Sequence, residues 1–401
     1  MKLLSTRTII TAVLSVIIFS SCAVREEESY GEIERKALEK WIESNAPSAL
    51  PLGDTGVYYE VLEKPEVTGD INVRGKWIDV EYTLRDMNGD IVYTRNEAVA
   101  RLLGTYDNYT HYVPARLYVA HNPNSSNIPL GMYQALINIP QGEMWRVYIP
   151  SEHAFGTYGF KAGNGYAGQK TLGSNVPLIV DSLRISNVID NPQAEGIEAI
   201  KRFVTADAPE GWGKMPGDTI RKNMYIDIYR RGINNDTVAM NSSVYIYYKV
   251  KYLDGKLLNS NIDSVLHNSF GTVRTQDLTS PLRLTRMEAT PANAYRMPEK
   301  IFYAILPELR YGDIARIAVP SEYGYFNRFM PPNKSESEWE SSATFTTDTS
   351  YDYDNYSTTE LDTYFGTATF YVPYTSTIVS IGEISPYAPL IYEFIVQRAD
   401  E

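Results

Sequence analysis

The chain repeats itself at long range. Leu38 to Pro47 reads LEKWIESNAP and Ile200 to Pro209 reads IKRFVTADAP, matched in chemical type at every position, with Pro47 and Pro209 standing 162 residues apart. An interval of that size is the length of a domain, so it excludes a short-period solenoid and calls for one plan used twice. Each segment sets apolar residues at helical spacing (Leu38, Trp41, Ile42; Ile200, Phe203, Val204) and stops at Ala-Pro, because proline disfavours helix at the residue before it. Each predicts a short helix leading into a domain.

The echo continues in strand-like segments. Val57 to Leu62 matches Met224 to Tyr229, with Tyr58 on Tyr225 and Glu60 on Asp227. Trp77 to Leu84 runs to Asn88-Gly89, and Val244 to Tyr252 runs to Asp254-Gly255. Alternation followed by NG or DG signals a hairpin, since glycine supplies the positive φ of the tight turn. Apolar strands then resume at Ile91-Val92-Tyr93 and Leu257-Leu258. Met132 to Ile139 with Gly142 and Ile149-Pro150-Ser151-Glu152 is answered by Phe302 to Leu306 with Gly312 and Val319-Pro320-Ser321-Glu322, glycine and proline eight residues apart in both. The copies close on Leu178 to Ile185 and Leu390 to Val396. Helical periodicity is scarce elsewhere, so the expected class is α+β, an antiparallel sheet wrapped on one short helix in each copy.

Charge and cysteine usage narrow the function. The 401 residues carry 37 Lys and Arg against 49 Asp and Glu, a formal net charge of −12. That balance leaves no basic excess for phosphate recognition and argues against nucleic acid as a partner. The sole cysteine, Cys22, rules out an internal disulfide, a cysteine-based zinc site and a CxxC pair. Lys2 and Arg7, the apolar run Ile9 to Phe19 and then Ser20-Ser21-Cys22 follow the order of a secretory signal peptide, and the run is too short to span a membrane. Small residues directly before cysteine resemble the lipobox of bacterial lipoproteins, in which the signal is cut before a cysteine that is then lipidated. The alternative is an ordinary signal peptide with a chance cysteine. Cleavage there leaves 380 residues and, without Lys2 and Arg7, a charge of −14. Ala23-Val24-Arg25-Glu26-Glu27-Glu28 resembles the surface-export signal of some Gram-negative lipoproteins, although a solvated tether would read alike. The expected location is the cell envelope, as an outer-membrane lipoprotein anchored through Cys22 and exposed at the surface.

Taken in order, the strand with its tyrosine, the hairpin, the short helix, the turn Ile149-Pro150-Ser151-Glu152-His153-Ala154-Phe155-Gly156 and a closing strand such as Pro386 to Val396 resemble the FKBP-type peptidyl-prolyl isomerase family, twice. The resemblance implies two FKBP-like domains, at 55–192 and 222–401. They follow a signal peptide (1–21), a tether with the first leading helix (22–54), and a linker with the second helix (193–221). It also implies a pocket for a prolyl ring. The first-strand tyrosine falls on Tyr82 and Tyr248. The Phe-Asp pair after the hairpin falls on Val92-Tyr93 and Leu258-Asn259, so both copies lack the aspartate. The residues before the helix fall near Ile128-Pro129 and, ambiguously, Pro298-Glu299. The floor tryptophan falls on Met132 and Phe302, the flap tyrosine on Phe155 and Tyr325, and the aromatic of the last strand on Val180 and Tyr392. Copy two keeps more aromatics, so the expected catalytic walls are Tyr248, Leu258, Phe302 and Tyr392, with Tyr325 as flap donor.

Such a reaction turns an X-Pro amide over a barrier of ~18–20 kcal/mol and breaks no bond, so it asks for no nucleophile, metal or cofactor. A dry apolar pocket and a well-placed donor suffice. Expected partners are proline-containing peptides or exported client proteins. A non-catalytic surface module that binds peptide, protein or glycan on the same fold is the rival reading, favoured by the missing aspartate; a structural part of an envelope complex is a third. Pro150 to Val180 spans 30 residues and Pro320 to Tyr392 spans 72, so the second copy carries about 42 more in its flap, a long insertion near 327–380. Most of it is an acidic Ser/Thr/Tyr-rich stretch, Ser335 to Asp362, which reads equally as a specificity loop or a solvated excursion. Asp348, Asp352, Asp354 and Asp362 lack an EF-hand's glycine and closing glutamate. His111, His121, His153 and His267 show no metal-ligand spacing, and His153 reads as a loop residue beside the predicted pocket turn.

Overall fold

A computed structural model describes residues 29–66, 72–123, 128–161, 171–207, 212–215, 223–232, 236–270, 281–286, 299–321 and 382–399. Cys22, the expected signal peptide at 1–21, Tyr325, the acidic aspartates and the insertion at 327–380 lie outside them. The chain divides into two units, Met1–Pro47 and Ser48–Glu401. In the first, helix α1 (Tyr30–Asn45) opens on a reciprocal cap. The Ser29 hydroxyl accepts from the Glu32 amide at 3.3 Å, and the Glu32 carboxylate accepts from the Ser29 amide at 2.8 Å.

The second unit holds two seven-stranded antiparallel sheets. The first contains β1 (Leu50–Pro51), β2 (Tyr58–Glu63), β3 (Lys76–Arg85), β4 (Ile91–Thr94), β5 (Ala115–Val119), β6 (Met144–Ile149) and, after the two-stranded ribbon β7 (Phe160–Lys161) and β8 (Thr171–Leu172), β9 (Leu178–Ile189). The second contains β10 (Gly213–Lys214), β11 (Tyr225–Arg230), β12 (Ser243–Tyr252), β13 (Leu257–Ser260), β14 (Leu282–Thr285), β15 (Ile314–Val319) and β16 (Leu390–Arg398). Their paths are the same, β1-β2-β6-β9-β3-β4 with β5 on β3, and β10-β11-β15-β16-β12-β13 with β14 on β12. Helices recur at the same stations: α2 (Glu97–Leu103) and α5 (Asp263–Phe270) follow the hairpins, while α3 (Leu130–Leu136) and α6 (Glu299–Ile305) precede β6 and β15. Between the sheets runs α4 (Pro192–Asp207), whose Ile200 and Val204 pack with Trp212 and Ala318. The arrangement is α+β, and the long-range repeat is a repeat of topology.

Local chemistry accounts for the shared plan. Gly89 and Gly255 turn both hairpins at φ 84° and 88°, where a side chain would be strained. On β12 burial alternates without interruption, so Val244, Ile246, Tyr248, Val250 and Tyr252 face the core. It pairs with β16 from Val244↔Arg398 to Tyr252↔Leu390 without a shift of register. The matching pair β3 and β9 slips twice, and β9 bulges at Ser182, which sits at φ 55°. Beside that bulge the buried Asp181 carboxylate accepts from Arg85 Nε at 2.7 Å and Arg146 Nε at 3.0 Å.

Candidate functional site

The first sheet gathers most of the residues that the sequence singles out. β3 supplies Tyr82, β4 supplies Val92 and Tyr93, and α3 with its approach supplies Met132 and Ile128. Phe155 comes from the turn after β6, and Val180 from β9. Val92, Ile128, Met132 and Val180 are buried, at 0–4% exposure, and form an aliphatic layer. Tyr82, Tyr93, Phe155 and Phe160 pack on the same cluster but stay half-buried. They form a chain of rings with centroid distances of 5.9 Å for Tyr82–Tyr93, 6.0 Å for Tyr93–Phe160 and 4.7 Å for Phe155–Phe160. Register explains why Tyr93 joins them, since it lies directly opposite Leu84 and so shares the core-side face.

A buried cation stands beside the group. Arg95, just past β4, is 7% exposed. Its Nη1 donates to the Tyr93 hydroxyl oxygen at 3.0 Å and to Glu383 Oε1 at 2.7 Å; its Nε and Nη2 donate to the Val113 and His111 carbonyls, both at 2.7 Å. Burial works against the Arg95 charge, but the Glu383 carboxylate and the Tyr93 and Tyr82 phenols outweigh it, so its pKa lies above the ordinary arginine value. Burial pushes the Tyr82 and Tyr93 phenols up, so both are neutral donors near neutral pH.

The equivalent residues of the second sheet are brought together differently. Leu258, Phe302 and Tyr392 are 0–1% exposed and Tyr248 is 7% exposed. Phe302 sits at their centre, 5.9 Å from Tyr248, 6.0 Å from Tyr392 at 89° and 5.4 Å from Phe394 at 83°. These rings belong to one buried core cluster of their own sheet. The cause is side-chain size: Tyr392 pairs with Val250 and Ile317 where Val180 pairs with Leu84 and Val147, and Phe302 replaces Met132. Asn259, at the Tyr93 position, is 5% exposed and spends its Oδ1 on the Ser260 amide at 2.7 Å. The sequence had placed the catalytic walls here; their described side chains meet one another in the core, whereas the half-buried ring group belongs to the first sheet. The flap donor Tyr325 lies outside the described residues.

His153 lies in a short 3₁₀ turn, Ser151–His153, half-buried. Among the described residues no group of three or more His, Cys, Asp or Glu side chains is placed to hold a metal, and no helix is long and apolar enough to cross a membrane. Sequence reasoning missed Phe160, Arg95 and Glu383. An arginine two residues after Tyr93, past Thr94, was the one visible signal, whereas Glu383 stands 288 residues from its partner.

No family model matches the chain, and no curated protein matches it. Solved structures do. The three FKBP domains of wheat FKBP73 align at 12% identity and a TM-score of 0.25, over 88% of this chain and 98% of that one. A peptidyl-prolyl cis-trans isomerase of Pseudomonas syringae pv. tomato aligns at 20% identity and 0.27, over 41% and 98%. FkpA of Escherichia coli aligns at 19% identity and 0.26, over 46% and 74%. Likeness at this level carries no residue roles across, and the site stands on its own geometry.

Proposed function

We propose that the chain is a peptidyl-prolyl cis-trans isomerase, or prolyl-binding folding helper, of the bacterial cell envelope, and that its site is the ring group of the first sheet. One observation carries this: four half-buried aromatic side chains stand on a buried aliphatic layer, with a phenol oxygen already held by Arg95. Apolar rings disfavour the polarised planar amide of an X-Pro bond and so favour its twisted form, and a phenol donor serves the oxygen or nitrogen whose charge changes on rotation. Nothing in this scheme needs a nucleophile, metal or cofactor. Clients would be exported chains rich in X-Pro bonds, and lipidation at Cys22 would hold the protein at the outer membrane, facing the surface.

A second reading has an observation of its own. Neither Tyr93 nor Asn259 supplies the carboxylate that the resemblance calls for, so a module that binds proline-containing peptide without accelerating its isomerisation is the alternative. The deciding experiment is an isomerisation assay on the chain from Ala23 with a panel of X-Pro peptides, paired with peptide-binding measurements. Acceleration that Phe160→Ala reduces supports the enzyme. Saturable peptide binding without acceleration, in folded protein, moves the conclusion to the binding module.

A further inference from the structure

We infer that Glu383, which belongs to the second half of the chain, is a positioning residue for the first-sheet site. The inference rests on reading that site as the prolyl-peptide site. Three observations converge on it. First, Glu383 is 2% exposed and its Oε1 takes 2.7 Å from Arg95 Nη1, the same nitrogen that donates to the Tyr93 hydroxyl. Second, the segment carrying Glu383 is fixed at close quarters. The Gly382 amide donates to the Leu258 carbonyl at 2.8 Å, and a Cβ on Gly382 would come within 3.1 Å of that oxygen and 3.2 Å of the Leu258 Cα. The Glu383 amide donates to the Tyr109 carbonyl at 3.0 Å, its Oε2 accepts from the His111 amide at 3.2 Å, and its carbonyl accepts from the Tyr252 hydroxyl. Third, a phenol has one hydrogen to give. The Tyr93 oxygen accepts from Arg95, and its hydrogen is donated to no described residue.

The consequence is directional. With Arg95 on its oxygen, the Tyr93 O–H is turned away from the guanidinium and left free to donate to a peptide oxygen seated on the rings. Glu383 sets where the guanidinium sits, and therefore where that hydrogen points. The second half thus contributes to a site that it does not line.

The test is a double-mutant cycle on the full mature chain, read as kcat and KM for one X-Pro peptide. Tyr93→Phe removes the donor and leaves the ion pair in place; kcat is expected to fall at least about tenfold with KM little changed, the pattern of a contact made in the transition state. Glu383→Gln alone is expected to give a similar fall, and in the Tyr93→Phe background no further one. Equal factors in both backgrounds would overturn the inference, because Glu383 would then act through general structure alone. Should Glu383→Gln not fold, Arg95→Lys, which keeps the charge but loses the planar fork, takes its place in the cycle. A folded wild-type chain that isomerises no peptide would sink the isomerase reading and leave the positioning one to a separate readout, the ζ-carbon resonance of Tyr93 in isotope-labelled protein, assigned with Tyr93→Phe. A shift of that resonance in Glu383→Gln supports positioning, and an unmoved resonance overturns it.

Discussion

The two sheets share one path and put it to opposite uses. In the first, Val180 and Met132 are small enough for the aromatic side chains above them to remain half-buried; in the second, Tyr392 and Phe302 occupy the equivalent places and the rings close over one another. The residue after each hairpin strand diverges as well. Arg95 reaches to Glu383, across 288 residues, whereas Asn261 stays local, its Oδ1 accepting from the Tyr248 amide at 2.7 Å and its Nδ2 donating to the Ile246 carbonyl at 2.8 Å. The copy that retains more aromatics is thus the one whose aromatics pack on one another. What matters is whether the fold spends them on itself.

Four substitutions press on this contrast, in descending order of expected effect. Phe302→Ala empties the centre of the second core and should cost ~3–5 kcal/mol of stability, seen as a lowered urea midpoint, while peptide turnover by the folded fraction stays near wild type. Val180→Tyr makes the first sheet resemble the second; overpacking should cost ~1–3 kcal/mol, and calorimetric titration should find peptide binding lost. Undiminished binding would break the equivalence drawn between Val180 and Tyr392. Phe160→Ala removes a half-buried ring at a cost below ~2 kcal/mol, yet should lower kcat/KM about tenfold or more, the reverse of the Phe302→Ala pattern.

The smallest effect concerns the bulge of β9 at Ser182, which β16 does not share. Burial alone would raise the Asp181 pKa, but the Arg146 and Arg85 guanidiniums overcome it and hold the carboxyl below its ordinary value. A depressed carboxyl stabilises the fold above the unfolded aspartate pKa of about 3.9, and that contribution disappears as pH falls through the lower folded value. The Tm of Asp181→Asn should thus lie below wild type by a constant amount near neutrality, with the gap closing in acid below about pH 4. A gap that persists unchanged in acid would show that the bulge, and not the charge, sets the difference.

Much of this architecture was written in short-range patterns. Asn88-Gly89 and Asp254-Gly255 announced the hairpins, and the helices before Gly142 and Gly312 and the closing strands appeared within a few residues of where spacing put them. Short elements without periodicity went unseen: α2 has seven residues and β14 four, too few for either pattern to register. The site was less legible than the fold. Tyr82 and Tyr248 are the same residue at the same station, yet one is half-buried and the other buried, and the residues that come from β9 or β16 to pack beside them lie far along the chain. Glu383 is the extreme case, a carboxylate whose partner no local window could contain.

That separation also has a dimension in time. Ribosomes add about 5–20 residues per second, so Glu383 is made roughly 14–58 s after Arg95, given the 288 residues between them. Throughout that interval the first sheet can close its hairpin and bury its aliphatic layer, but its arginine has no carboxylate to meet. The nascent protein thus carries its ring group, and the arginine beside it, well before it carries the carboxylate that pairs with that arginine.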